Sequence, residues 1–235
     1  MVNIQVGLFD RSLTNLSTVN PGTFIGAKSG AVATDPQIQW DQQAGRWLYV
    51  ELELYTNATN NFIAFGWSKA GDLSGLTLAN SDWCNFHIPT GTDLHDYPKL
   101  GHDANFILIG TNVFASPTSG ISFTSAVWAI PKPAAGDMSC TAPVTTEFGT
   151  AIKPLRHLPP DSSLVSTPVP ANAADNASTG FIAAIDTGFI GVWHVSPTAV
   201  GICAAPCLVG DGEIAISPSP TRQGAAQIQI GRAHV

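Results

Sequence analysis

Alternation of apolar and polar positions dominates the first half of the chain. Trp47-Leu-Tyr-Val-Glu-Leu-Glu-Leu54 places Leu48, Val50, Leu52 and Leu54 on one face and Trp47, Tyr49, Glu51 and Glu53 on the other. That is the period of two that a strand requires, and it predicts exposed glutamates at 51 and 53. Phe62-Ile-Ala-Phe-Gly-Trp67 is apolar on both faces, as a central strand would be. The same character recurs in Asn105–Val113, Ser125–Ile130, Gly180–Ile185 and Gly188–Val195, with a shorter candidate at Gly212–Ile216. Turn-forming clusters separate these runs, among them Gln42-Gln-Ala-Gly45, Ser116-Pro-Thr-Ser-Gly120 and Asp211-Gly212. No window holds a helical period over three turns, and the pattern predicts an all-β chain.

A repeated phrase organises these strands. Asp35-Pro36 is followed by Asp41, and Asp96-Tyr97-Pro98 by Asp103, with five residues from Pro to the second Asp each time and 62 residues from one phrase to the next. A weaker third copy is read at Val169-Pro170 with Asp175. A period of this length filled with strands predicts blades of a β-propeller, at about 34–90, 96–153 and 165–218, preceded by part of another at 1–33. A β-sandwich is the alternative, but it gives no reason to repeat so long a unit. Residues 1–229 therefore read as a single propeller domain. Three blades and a fragment fall short of the roughly four to eight that close a ring, so the domain is expected to be incomplete at both ends. The last six residues, Ile230-Gly-Arg-Ala-His-Val235, match the translation of a common sequencing adapter and are expected to be an artefact.

Composition narrows the class. Of 235 residues, 44% are hydrophobic and only 11% charged, with a formal net charge of −7. That balance opposes disorder and opposes nucleic acid as a partner, since phosphate binding needs clustered Lys and Arg. No run approaches the roughly 20 apolar residues of a membrane helix. A low-charge surface rich in Thr and Asn leans extracellular or cell-surface. Asn15-Leu-Ser17, Asn57-Ala-Thr59 and Asn176-Ala-Ser178 fit the glycosylation triplet. The four cysteines, Cys84, Cys140, Cys203 and Cys207, leave pairing open. Cys203-Ala-Ala-Pro-Cys207 suits a tight disulfide better than half of a zinc site, because no second close pair completes one.

Asp35-Pro-Gln-Ile-Gln-Trp-Asp41 with Arg46-Trp47, then Asp96-Tyr-Pro-Lys-Leu-Gly-His-Asp103 with Thr111-Asn112-Val-Phe114, resembles bacterial secreted β-propeller proteins of unknown function. In those proteins a DPxVxYD…RW phrase opens one blade and DYPxLGxD the next. The resemblance covers about 35–115 and implies a propeller and an exported protein, with no catalytic residue to carry over. A fainter likeness, in Ser68–Leu78, is to the Asp-box turn of sialidases, with extra residues between its Ser, Asp72 and Gly75 and with Leu78 in place of Trp.

The richest polar segment, His87 to Asp103, holds His87, His95, His102, Asp93, Asp96 and Asp103. Carboxylates with backbone carbonyls suit calcium, which makes Asp35, Asp41, Asp96 and Asp103 the candidate metal ligands, with His95 and His102 weaker ones. Because the aspartates repeat without the histidines, an Asx-turn role at the opening of each blade is favoured. No Gly-x-Ser-x-Gly elbow and no phosphate-binding glycine loop occurs. Trp40, Trp47, Trp67, Trp128 and Trp193 lie within strand patterns and are expected in the core; Trp83 has loop-like neighbours. The sequence thus predicts an exported binding or scaffold module for a small molecule, glycan or protein. The alternatives are a glycan-active hydrolase or lyase of sialidase-like type and a structural cell-surface domain.

Overall fold

The computed structural model describes residues 1–55, 60–71, 75–115, 122–149, 165–173, 177–186 and 188–216. Asp72, Asn57, Asn176, Asp175, Arg156 and 230–235 lie outside that set. The protein is all-β. Three four-stranded antiparallel sheets follow one another along the chain, each with its strands in sequence order, after a two-stranded ribbon of β1 (Val6–Phe9) and β2 (Asn15–Val19). Sheet 1 comprises β3 (Ala31–Asp41), β4 (Arg46–Tyr55), β5 (Asn61–Ser68) and β6 (Trp83–Gly91). Sheet 2 comprises β7 (Leu94–His102), β8 (Phe106–Phe114), β9 (Ser122–Pro131) and β10 (Thr146–Phe148). Sheet 3 comprises β11 (Ser166–Pro170), β12 (Phe181–Asp186), β13 (Phe189–Ser196) and β14 (Cys207–Ala215). A short α-helix, α1 (Pro21–Ile25), is capped by the Asn20 side chain, which accepts from Gly22 N–H, and ends at Gly26 in the left-handed region.

The sheets stack face to face, and strand alternation sorts the side chains. From sheet 2, Ile107, Ile109, Trp128 and Ile130 meet Leu48, Val50, Ile63 and Phe65 of sheet 1. The residues between them, Phe106, Leu108, Val127 and Ala129, meet Ile182, Ala184, Trp193 and Val195 of sheet 3. Both faces of the middle sheet are therefore core, which is why its strands read as unbroken apolar runs.

The far face of sheet 1 overturns one expectation. Glu51 and Glu53 are 0% and 2% exposed. They share a face with Tyr49, and the N-terminal segment covers it: Val6, Phe24 and Ile25 pack on Tyr49, Ala64 and Trp83. The alternation was right, but the polar face is sealed by residues whose docking no local pattern reveals. Trp83 is buried by the same segment, 4% exposed and wedged edge-on against Phe24 and Tyr49. Trp40, expected in the core, is 38% exposed.

Two disulfides are present. Cys84–Cys140 ties β6 of sheet 1 to the loop after β9 of sheet 2, and Cys203–Cys207 closes the β13–β14 connection. Among the described residues no helix is long and apolar enough to cross a membrane.

Candidate functional site

The first strands β3, β7 and β11 carry the repeat. Each has a bulge where two residues oppose one, between Thr34 and Gln37, Asp96 and Lys99, and Ser166 and Val169. In all three the residue before proline has a positive φ: Asp35 at 53°, Tyr97 at 56° and Thr167 at 50°. L-residues seldom adopt this region, so each such backbone N–H is held. Asp35 N–H donates to Asn3 Oδ1 (3.0 Å), Tyr97 N–H to Asp96 Oδ1 (2.9 Å) and Thr167 N–H to Asn112 Oδ1 (2.6 Å). The third copy of the phrase is thus Thr167-Pro168, two residues before the Val169-Pro170 expected from the sequence.

The four sequence-predicted aspartates divide between the two ends of these strands. At the bulge end, Asp35 lies close enough to Asp96 to share a hydrogen bond, and Glu51 sits opposite the Asp35-Pro36 bulge. Burial, then the Asp35 charge and this shared bond, push the Asp96 carboxyl up to about 6. Burial pushes Glu51 up to about 8; Asp35 and Glu53 add to the rise and the N-terminal ammonium opposes it. Neither Glu51 oxygen has a hydrogen-bond partner, so the side chain is best held protonated. At the matching place in sheet 2 stands Thr111, bonded to His95 Nδ1 (3.1 Å), and burial lowers His95 to about 4, keeping it neutral. Glu53 differs: burial would raise it, but hydrogen bonds from His87 and Tyr55 (both 2.6 Å) bring it below the ordinary value.

At the opposite end, Asp41 and Asp103 cap tight turns. Asp41 Oδ1 accepts from the N–H groups of Gln43 (3.0 Å) and Ala44 (3.1 Å); Asp103 Oδ1 accepts from Asn105 and Phe106 (both 2.7 Å). Lys132, just past β9, joins the two turns, with Nζ 2.5 Å from Asp41 Oδ2 and donating to the Asp103 carbonyl at 2.7 Å. His102 lies 3.8 Å from Asp41, and burial lowers its pKa. Arg46, 2% exposed, donates to the Asp137 carbonyl at 2.8 Å. Asp103 Oδ2 also accepts from Gly180 N–H (3.0 Å), which carries the linkage into sheet 3. A cleft of about 300 Å³ opens beside this cluster, lined by residues 43–44, 104–105 and 132–135.

Among the described residues, no group of three or more His, Cys, Asp and Glu side chains is arranged to hold a metal ion. Asp35 and Asp96 come together, Asp41 and Asp103 are joined through Lys132, and His95 and His102 turn to Thr111 and Asp41 respectively. Sequence reasoning read Glu51 as exposed, took Arg46 only as part of the repeated phrase and gave Lys132 no role. Glutamates on an alternating strand and isolated basic residues carry no local signal of burial. Asn15 is exposed on β2, with Ser17 of its triplet half-buried. No family model, no curated protein and no solved structure matches this chain.

Proposed function

We propose that the chain is a run of three β-propeller blades from an exported binding or scaffold module, with its ligand taken at the loop end where Asp41, Asp103 and Lys132 meet. The observation that carries this reading is the threefold recurrence of one unit: a four-stranded antiparallel sheet whose first strand holds a left-handed residue before proline inside a bulge. The first strands also lie side by side. Gln37 and Gln39 of β3 clamp the backbone of Leu100 in β7 (2.8 and 2.6 Å), and β7 pairs in parallel with Asn172 just beyond β11. Adjacent first strands around an axis are what blades would give. Two disulfides with no free cysteine among the described residues suit an oxidising, extracellular setting.

The hydrogen bond between the Asp35 and Asp96 carboxyl groups favours a second reading, a glycan-active hydrolase, because a pair of acids of which one, Asp96, has a raised pKa suits general acid–base chemistry. The two readings separate in one experiment. The purified chain is passed over immobilised polysaccharides and the eluate assayed for new reducing ends. Retention without reducing ends supports the binding module. Release of reducing ends, abolished by Asp96→Asn, would replace it with the hydrolase. Neither outcome on any polymer would leave a structural domain.

A further inference from the structure

We propose that the cleft between the first turns of sheets 1 and 2 is a binding site for a small, uncharged, polyhydroxylated ligand, a single sugar ring or the end of a glycan. The inference rests on the binding-module reading and names its ligand class and place. The cleft volume of about 300 Å³ stands at the lower limit of small-molecule pockets, which suits one ring. Its space is made by short side chains: Ala44, Ala104, Ala134 and Ala135 are half of the residues that line it. Its rim carries two carboxamides, Gln43 and Asn105. A carboxamide both donates and accepts, as a hydroxyl does, so two of them match a polyol without demanding a charge. Asn105 is already oriented: its Nδ2 donates to the Ser178 carbonyl at 3.1 Å, which leaves Oδ1 to accept.

The floor sets the charge preference. Lys132 lines the cleft with a side chain only 6% exposed, and its ammonium is held by the Asp41 carboxylate and the Asp103 carbonyl. An ammonium carries three N–H donors, more than the Asp103 carbonyl and the ion pair with Asp41 require, so donor capacity is left for a ligand oxygen. The Lys132 ammonium is met by the Asp41 carboxylate, and Arg46 donates to the Asp137 carbonyl and feels the Asp137 and Asp41 charges. A ligand with a fixed charge would have to be desolvated beside this buried ion pair, whose charges already face each other; a neutral one with hydroxyls would not. The walls come from two sheets locked by Lys132, so the site is formed before any ligand arrives.

The test is saturation-transfer NMR on the full chain with glucose, galactose and N-acetylglucosamine, against glucuronate and glucosamine as charged counterparts. Two cleft-filling variants, Ala104→Leu and Ala135→Trp, accompany it, each checked for an unchanged melting transition. The expected result is transfer from at least one neutral sugar, at least tenfold tighter than its charged counterparts, and lost at least tenfold in both variants. Equal transfer to charged and neutral sugars, no transfer to any of the three neutral sugars, or binding that survives both fillings would overturn the proposal. Retention of the wild type on polysaccharides that persists in the two variants would remove the cleft while leaving the binding-module reading intact.

Discussion

Gly110, in the second strand of sheet 2, lies against the carbonyl of Pro168, in the first-strand bulge of sheet 3. A Cβ at position 110 would overlap that oxygen. The absence of a side chain is what lets the bulge of one sheet settle onto the next. Gly110→Ala is therefore expected to destabilise the protein by about 1–3 kcal/mol, the usual cost of forcing an added carbon into a filled interior. Gly75→Ala, where an added Cβ meets nothing, should stay within about 0.5 kcal/mol of wild type. Urea unfolding of the two variants checks this. Equal stability would mean that sheets 2 and 3 do not approach as described.

Lys132 and Asp41 form a buried pair across sheets 1 and 2. Lys132→Met leaves the Asp41 carboxylate without its cation and should cost about 3–5 kcal/mol. Asn at position 41 can still accept from the N–H groups of Gln43 and Ala44, so the double variant D41N/K132M should recover much of that loss. A double-mutant cycle by thermal unfolding measures the coupling. Additive losses would show that the two side chains do not interact.

Glu51 makes stability depend on pH. Its folded pKa of about 8 exceeds the ordinary 4.5, so the native state holds a proton that the unfolded state releases. Its contribution is complete below about pH 4.5 and is lost as pH rises toward about 8, at no more than about 1.4 kcal/mol per pH unit. Asp96, raised to about 6, and Glu147, raised to about 7, slope the same way over lower ranges. Glu51→Gln should flatten the fall most clearly between pH 7 and 8 and melt above wild type at pH 8. Parallel profiles for variant and wild type would refute a protonated Glu51.

The disulfides should differ in weight. Cys84–Cys140 spans 56 residues and Cys203–Cys207 spans 4. Loop-closure entropy then gives about 4 kcal/mol for the first and about 2 for the second. Alanine pairs at 84/140 and 203/207, compared by denaturant unfolding, test that order, and its reversal would count against the sheet 1–sheet 2 tether.

How far the sequence reveals this molecule depends on whether a signal is local. Strand alternation at Leu48, Val50 and Leu52 and the unbroken apolar run at Ile107–Ile109 are local, and both report their true surroundings. The phrases at Pro36 and Pro98 were visible because aspartates flank them. The third was misplaced because its left-handed Thr167 has no acid, its N–H being held instead by Asn112 from another sheet. Burial of Glu51 and of the Lys132 ammonium depends on segments far away in the chain, beyond the reach of any spacing argument. The Asx-turn hydrogen bonds of Asp41 and Asp103 span only two or three residues, which is why a sequence motif could suggest them.

A crystal structure of the chain soaked with N-acetylglucosamine would probe the reading most directly, because it bears on both the repeated architecture and the loop-end site. The expected map shows β3, β7 and β11 side by side with their three bulges, Lys132 bridging Asp41 and Asp103, and a sugar ring between residues 43–44, 104–105 and 132–135. First strands splayed apart would end the blade reading, and a sugar seated elsewhere would end the assignment of this cleft.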